Sequence, residues 1–253
     1  MFFHLWALLH SAVATDGCNA PIRNASSAQS LREILMSMPR GYAFFDLDET
    51  LAMPSTPFIF GMPQSDAFLK RLTACEEEAM SSLGSRMEAA YYAAPLQLVD
   101  QTLPALVRHL RSEGWAVYGA TSRRTGDSVP YDWHSWLLVD FLLEHGLHFT
   151  PLSTETVHLG NATRAGGIFF VGGEEVNKGH VIHQVVPAGH MAVLIDNTYD
   201  KLLRARSSSS CRFQGVHFTA AHGLESDDES RQRWLCEQLA QIGRRCKSCG
   251  QEL

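Results

Sequence analysis

Two aspartates, Asp46 and Asp48, are the residues of this chain whose type and spacing most directly suggest chemistry. They follow the apolar residues 43–45 and flank Leu47. Alternate residues of an extended chain point to the same side, so both carboxylates would face one site while Leu47 packs inward. Two acids held this close need a cation or a shared proton. A carboxylate in such a site can act as a nucleophile, and a second one can transfer a proton.

Three later apolar segments, residues 115–120, 167–172 and 191–195, are also followed by polar residues and are separated by helical patterns. The polar residues are Thr121, Ser122, Lys178, Asp196, Asn197 and Asp200. Ligands of an open α/β sheet bind outside the carboxyl ends of its parallel strands, so the pattern indicates one site at a shared edge. Taken singly, each signal also has an ordinary explanation, such as an acidic turn or a solvated lysine.

In this order, the strand ends resemble the four motifs of the haloacid dehalogenase superfamily in its phosphatase form, over about residues 43–203. Residues 46–50 match the first motif, Asp-x-Asp-x-Thr, and the second Asp favours phosphate chemistry over dehalogenation. The resemblance implies that Asp46 is the nucleophile that takes the phosphoryl group. It implies that Asp48 protonates the leaving oxygen and then activates water. The phrases around Thr121 and Lys178 are also similar to those of uncharacterised bacterial members.

The later motifs imply a phosphate site and a metal site. By the resemblance, Thr121, its neighbour Ser122 and Lys178 would bind phosphate oxygens, and Lys178 would also neutralise the nucleophile. Arg123 and Arg124 follow the second strand and could pair with a substrate anion.

The metal implied by the resemblance is Mg²⁺, because the donors are hard oxygens. Its ligands would be Asp46, a backbone carbonyl near Asp48, and Asp196. Asn197 stands where many members have a second Asp, and Asp200 matches a variant with wider spacing. The completing ligand is therefore either Asn197 or Asp200.

The expected fold is α/β, with a Rossmann-like three-layer parallel sheet and helices on both faces. Residues 28–245 would form the core, with a small helical cap inserted at about residues 53–97 and a tail at residues 246–253. Such a cap would exclude water and select substrates, or it would be a solvated helical hairpin. Periodicity predicts helices over the following residues: 30–38, 98–112, 133–143, 177–186 and 225–242. Residues 213–218 are expected to form an edge strand.

Composition limits the classes of partner. The chain has 253 residues and a net charge of -6, which argues against nucleic-acid binding. Its six cysteines show no repeating framework, and Cys246 and Cys249 lack the second close pair of a structural zinc site. The expected partner is a phosphorylated small molecule or a phosphopeptide.

Residues 1–14 are mostly apolar and end in Ala12-Val13-Ala14, a small-x-small pattern. They resemble a short secretory signal that lacks a positively charged start, and they are too short to span a membrane. Two Asn-x-Ser/Thr sequons, at Asn24 and Asn161, fit export. A secreted, periplasmic or secretory-pathway location is favoured over the cytoplasm.

The expected function is that of a Mg²⁺-dependent phosphomonoester phosphatase that forms an aspartyl-phosphate on Asp46. A catalytically weak phosphate-binding or regulatory protein is the alternative, which Asn197 favours. A phosphotransferase or a phosphonate-processing enzyme is a third reading. Substrate identity lies in the cap and loops, which carry no recognisable motif.

Overall fold

An eight-stranded sheet forms the centre of the computed structural model, which describes residues 20–55, 95–123, 132–151, 157–159, 162–172, 177–209 and 212–224. In chain order the strands are β1 (Arg23–Ala25), β2 (Tyr42–Phe45), β3 (Ala52–Pro54), β4 (Leu96–Leu98), β5 (Ala116–Thr121), β6 (Val157–Leu159), β7 (Ala162–Ala165), β8 (Ile168–Phe170), β9 (Ala192–Asp196) and β10 (Phe213–Phe218). The helices are α1 (Ala28–Met36), α2 (Leu103–Ser112), α3 (Asp132–Glu144), α4 (Lys178–Val185) and α5 (Tyr199–Ser208), followed by a 3-10 helix, Ala220–Leu224.

The strands of the large sheet lie in the spatial order β1-β10-β9-β2-β5-β8-β7-β6. The first six run parallel to their neighbours, which confirms the expected Rossmann-like α/β fold. The sheet is mixed and not wholly parallel, because β7 is antiparallel to both β8 and β6. Only two residues, Gly166 and Gly167, join β7 to β8. Such a short turn can connect only antiparallel strands, and Gly166 supplies its positive φ of 56°.

The expected edge strand, β10, has the predicted bounds but lies inside the sheet. β1 pairs with it in parallel, with Arg23 opposite Val216 and Ala25 opposite Phe218. The edge assignment was therefore wrong. Its cause is that β1 has only three residues, two of them polar, and shows no alternation that would mark a strand.

The register of the central strands brings the motif residues to one edge. Phe45, the last residue of β2, lies opposite Ile195 of β9 and Gly119 of β5. The apolar residues before these ends are buried, and the ring of Phe44 packs against Tyr118 with centroids 5.3 Å apart. Burial on both faces explains why each strand reads as a continuous apolar run.

Two helices begin at positions that differ from the expected ones, for local reasons. α1 begins two residues early because the hydroxyl of Ser27 accepts a hydrogen bond from the Ser30 amide and completes a capping box. α2 begins at Leu103, five residues late, because Asp100 Oδ1 accepts a hydrogen bond from the amide of Thr102 at 2.8 Å. The Asx turn precedes the helix, and Leu98, where the helix was expected to begin, belongs to β4.

The chain divides into two compact units, Met1–Leu51 with Leu98–Ala221 and Ala52–Gln97 with His222–Leu253. The second unit contains β3 and the first two residues of β4, and there the Ser55 amide donates to the Pro95 carbonyl at 2.7 Å. Most of the expected cap, the expected helix at residues 225–242, the tail and residues 1–14 lie outside the described residues. Across the described ranges, no helix combines the length and apolar character that crossing a membrane requires.

Candidate active site

The four sequence motifs meet at the carboxyl edge of four adjacent strands, β9, β2, β5 and β8. Asp46 follows β2 and its amide donates to the carbonyl of Ile195 in β9 at 2.8 Å. Asp196 ends β9 and Thr121 ends β5. The strand order changes direction on the two sides of β2, which is where open α/β sheets form their ligand crevice.

Lys178 forms ion pairs with both Asp46 and Asp196 at this edge of the sheet. Its Nζ lies 2.6 Å from Asp46 Oδ1 and 2.6 Å from Asp196 Oδ2, and its side chain is 4% exposed. Lys178 is the first residue of α4, where the side-chain oxygen of Asn177 accepts hydrogen bonds from the amides of Gly179 and His180. This cap fixes the start of the helix and therefore the position of the ammonium group.

Asp46 sits in an environment that opposes its negative charge. Burial, and next the charge of Asp196, raise its pKa to about 6, although Lys178 and Lys201 attract the ionised form. Lys178 occupies Oδ1, whereas Oδ2 has no hydrogen-bond partner within the described ranges. One carboxylate oxygen of Asp46 is thus held in place and the other is not.

Asp48 forms a bidentate ion pair with Arg123. The guanidinium Nη2 lies 2.6 Å from Asp48 Oδ1, and Nε lies 2.9 Å from Oδ2. Burial acts to raise the pKa of Asp48, but the charge and hydrogen bonds of Arg123 outweigh it and lower the pKa. Arg123, considered as a partner for a substrate anion, is therefore engaged by an acid of the protein itself.

The expected phosphate-binding residues occupy different environments. The Thr121 hydroxyl donates to Asp48 Oδ2 at 3.4 Å and accepts from the Arg123 amide at 3.1 Å. Ser122, the next residue, is exposed. Arg124 lies outside the described residues. Thr121 and Lys178 belong to the buried cluster, and Ser122 lies at its surface.

Glu49 is a site residue that the sequence did not single out. It is 3% exposed and adopts a left-handed backbone with φ 58°. Its Oε2 accepts a hydrogen bond from Asn197 Nδ2 at 2.9 Å, whereas Oε1 lacks a hydrogen-bond partner among the described residues. Burial, followed by the charges of Asp48 and Asp46, raises the pKa of Glu49 to about 8. The only sequence signal was an acid beside Asp48, which surface turns also show.

Asn197 links the loops that follow β2 and β9. Its side chain donates a hydrogen bond to Glu49. Its backbone amide donates to the Thr50 hydroxyl at 3.1 Å, and its backbone carbonyl accepts from His217 Nε2 at 3.0 Å. A carbonyl oxygen can only accept, so Nε2 of His217 carries the proton. These contacts assign Asn197 a positioning role between the two loops.

Asp200 and Lys201 lie in the first turn of α5. Asp200 is exposed, whereas the Nζ of Lys201 lies 3.9 Å from Asp46 Oδ2. The charge of Asp46 is the largest influence on Lys201 and raises its pKa. Lys201 was missed from the sequence because a lone lysine on a helix usually indicates a surface charge.

Two acids among the described residues are suited to ligate the implied Mg²⁺. Asp46 and Asp196 are buried and contact the same lysine, so their hard carboxylate oxygens lie close together. Asn197 is turned towards Glu49, and Asp200 is exposed. No arrangement of three or more His, Cys, Asp or Glu suited to a metal occurs among the described residues. Mg²⁺ commonly takes one or two carboxylates and keeps its waters, so Asp46 and Asp196 are the acids that fit it.

Comparison of the chain with models of known protein families, and with curated proteins, finds no match. The resemblance described above therefore depends on the motif residues themselves. What the described structure contributes is their convergence at one sheet edge.

Proposed function

We propose that the chain is a Mg²⁺-dependent phosphohydrolase that acts on phosphate monoesters through an aspartyl-phosphate on Asp46. The observation that carries the proposal is the asymmetry of the Asp46 carboxylate. Lys178 holds Oδ1 at 2.6 Å, and Oδ2 makes no hydrogen bond to any described residue. An acid with one oxygen fixed and the other unengaged is suited to nucleophilic attack.

The proposed reaction has two steps. Asp46 Oδ2 attacks phosphorus, the bond to the leaving oxygen breaks, and Asp48 supplies the proton which that oxygen needs. Asp48 then takes a proton from water, which attacks the acyl phosphate and releases inorganic phosphate and free Asp46. Lys178 stabilises charge on Asp46 throughout. The ion pair with Arg123 keeps Asp48 ionised, which suits the second step, and protonated Asp48 requires that this ion pair loosen.

Charge balance supports the involvement of a divalent cation. Apart from Glu49, whose pKa is raised to about 8, the described charged groups of the site are three acids and three bases: Asp46, Asp48, Asp196, Lys178, Arg123 and Lys201. A phosphate monoester dianion would add two uncompensated negative charges to this balanced cluster, which is costly where water is excluded. Mg²⁺, when bound by Asp46 and Asp196, would supply the compensating charge and polarise the phosphoryl oxygens.

The test is hydrolysis of a chromogenic phosphate monoester by the wild type, Asp46→Asn and Asp140→Asn, with Mg²⁺ or with a chelator. Asp46→Asn keeps the shape of the side chain but removes the nucleophile, so we expect a loss on the order of 10³-fold or more. Asp140 is an exposed acid on α3, so its variant controls for the change of charge. Full activity of Asp46→Asn, with circular dichroism unchanged, would exclude the mechanism.

A phosphate-binding or regulatory protein with weak turnover is the second candidate. Two observations favour it: Asp48 is held by Arg123, and Asn197 is bonded to Glu49 at 2.9 Å, away from a metal-ligand role. Such a protein would bind inorganic phosphate but hydrolyse the chromogenic ester no faster as the wild type than as Asp46→Asn. Comparing phosphate binding with turnover therefore separates the two candidates.

A further inference from the structure

Among the described residues, three cations lie within ion-pair distance of the acids at the carboxyl edge of the sheet, and they differ in what they already bind. Lys178 contacts Asp46 and Asp196 at 2.6 Å each and is almost fully buried. Arg123 makes a bidentate pair with Asp48 and is also buried. Both cations therefore neutralise acids of the protein.

Lys201 is placed differently. Its side chain is 38% exposed, and its Nζ lies 3.9 Å from Asp46 Oδ2. This distance permits Coulomb attraction but exceeds that of a hydrogen bond. A lysine ammonium has three N–H donors, and the described residues provide no hydrogen-bond acceptor for them. Lys201 is thus a cation that pairs with Asp46 without a hydrogen bond to any described residue.

The oxygen beside Lys201 is the one that reaction requires. Lys178 holds Asp46 Oδ1, so a group that reacts with Asp46 must approach Oδ2. That oxygen is shielded from solvent, whereas the Lys201 ammonium group lies on a partly exposed, flexible four-carbon chain. An anion that approaches Oδ2 would therefore come within reach of this ammonium group.

We propose that Lys201 binds the oxyanion of the substrate, contacting the oxygens of a phosphate group positioned beside Asp46 Oδ2. This inference depends on the proposed phosphate chemistry of the site, and it adds a residue outside the four motifs. Its ligand is a tetrahedral phosphate dianion, as the inorganic ion or as the head of a monoester. In this arrangement Lys178 neutralises Asp46, and Lys201 binds the phosphate oxygens.

The experiment measures binding of inorganic phosphate by calorimetry, in the presence of Mg²⁺. Four substitutions are compared with the wild type: Lys201→Met, Lys201→Gln, Lys201→Arg and Arg204→Met. Arg204 is an exposed cation on the same helix, so its variant controls for the loss of one positive charge. Thermal unfolding identifies any variant that fails to fold, and the Gln variant then replaces the Met variant.

We expect Lys201→Met and Lys201→Gln to bind phosphate about 10- to 100-fold more weakly, the effect of a lost hydrogen bond to a charged group. Lys201→Arg should recover most of the affinity, and Arg204→Met should match the wild type. In turnover, KM should rise by a similar factor and kcat should change less. Wild-type affinity in Lys201→Met, equal weakening in Arg204→Met, or no phosphate binding by the wild type would each overturn the proposal.

The outcomes also separate this inference from the phosphatase proposal. Phosphate binding requires no turnover, so a chain that binds phosphate through Lys201 but hydrolyses no ester contradicts only the catalytic proposal. Conversely, an active enzyme whose Lys201→Met variant keeps both KM and phosphate affinity contradicts only the role of Lys201.

Discussion

Glu49 combines three features that each disfavour an ionised side chain or a relaxed backbone. It is buried, one of its oxygens lacks a hydrogen-bond partner in the described part of the chain, and its φ of 58° lies in the left-handed region. A pKa raised to about 8 means that the residue is mostly protonated at neutral pH. Strained backbones of this kind are found most often at functional sites, where surrounding contacts maintain them. Here those contacts come from Asn197.

Replacement of Glu49 by Gln should reduce the dependence of stability on pH. The folded-state pKa of about 8 exceeds the ordinary glutamate pKa of 4.5, so the folded protein binds the proton more tightly. The stabilisation that protonated Glu49 contributes is therefore fully present below about pH 4.5 and is lost as the pH rises through about 8. Gln resembles the protonated acid and cannot ionise. Urea unfolding should give similar free energies for both proteins at pH 5, and a higher value for Glu49→Gln at pH 9.

The difference at pH 9 should amount to a few kcal/mol, since each pKa unit corresponds to roughly 1.4 kcal/mol. Asp46, with its pKa raised to about 6, contributes a smaller loss of the same sign in both proteins. Parallel stability curves across this pH range would show that Glu49 is not held in its neutral form.

The two acids of the fourth motif should differ in their effect on metal dependence. Asp196 is buried and bonded to Lys178, whereas Asp200 is exposed in the first turn of α5. We expect Asp196→Asn to raise the Mg²⁺ concentration for half-maximal activity at least about tenfold, because a carboxylate ligand is lost. Asp200→Asn should change it less than about twofold, since screening by water weakens an exposed charge. A tenfold rise in the Mg²⁺ concentration for half-maximal activity of Asp200→Asn would instead identify Asp200 as a metal ligand.

At the scale of elements, the packing of α4 against α5 sets the position of Lys178. Gly179, the second residue of α4, lies against the backbone of Ala205 in α5. A Cβ at Gly179 would collide with that backbone, with the Ala205 Cα only 2.7 Å away. A backbone obstacle cannot rotate aside as a flexible side chain can. Glycine is therefore required here for close approach of the two helices.

Gly179→Ala should move α4 away from α5 and displace Lys178 from Asp46 and Asp196. Overpacking of this kind costs roughly 1–3 kcal/mol, measurable by urea unfolding. Displacement of a catalytic group by about 1 Å can lower activity on the order of 10²-fold, so kcat should fall more than the loss of folded protein explains. Gln184→Ala, on an exposed position of α4, is the control and should change neither quantity. Normal kcat in a folded Gly179→Ala protein would contradict this coupling.

At the scale of the whole molecule, we propose export, with removal of residues 1–14. The apolar segment that ends at Ala14 predicts a mature chain that begins near Thr15. Intact-mass measurement on protein from its native host gives the first residue directly. A chain that retains Met1 would contradict cleavage and would favour free thiols for its cysteines.

The sequence by itself determined the α/β fold and the position of motif residues at the ends of apolar strands. β2, β5 and β9 are buried on both faces, so each appears as an unbroken apolar run that ends in a polar residue. The parallel arrangement then brings Asp46, Thr121 and Asp196 to one edge whatever the details of side-chain packing. The helix α4 was likewise predicted from its local periodicity, and its Asn177 cap is also local in the chain.

Only the tertiary structure decided which side chains pair. Arg123 and Asp48 are 75 residues apart, and Asn197 and Glu49 are 148 residues apart. No local pattern encodes such contacts. The sequence therefore suggested a substrate anion as the partner of Arg123 and a metal as the partner of Asn197. The strand β1 was missed because its three residues carry no apolar pattern, and only its pairing with β10 defines it as a strand. Propensity and periodicity report on neighbours within a few residues, whereas a buried charge selects its partner from whatever the fold brings within hydrogen-bond distance.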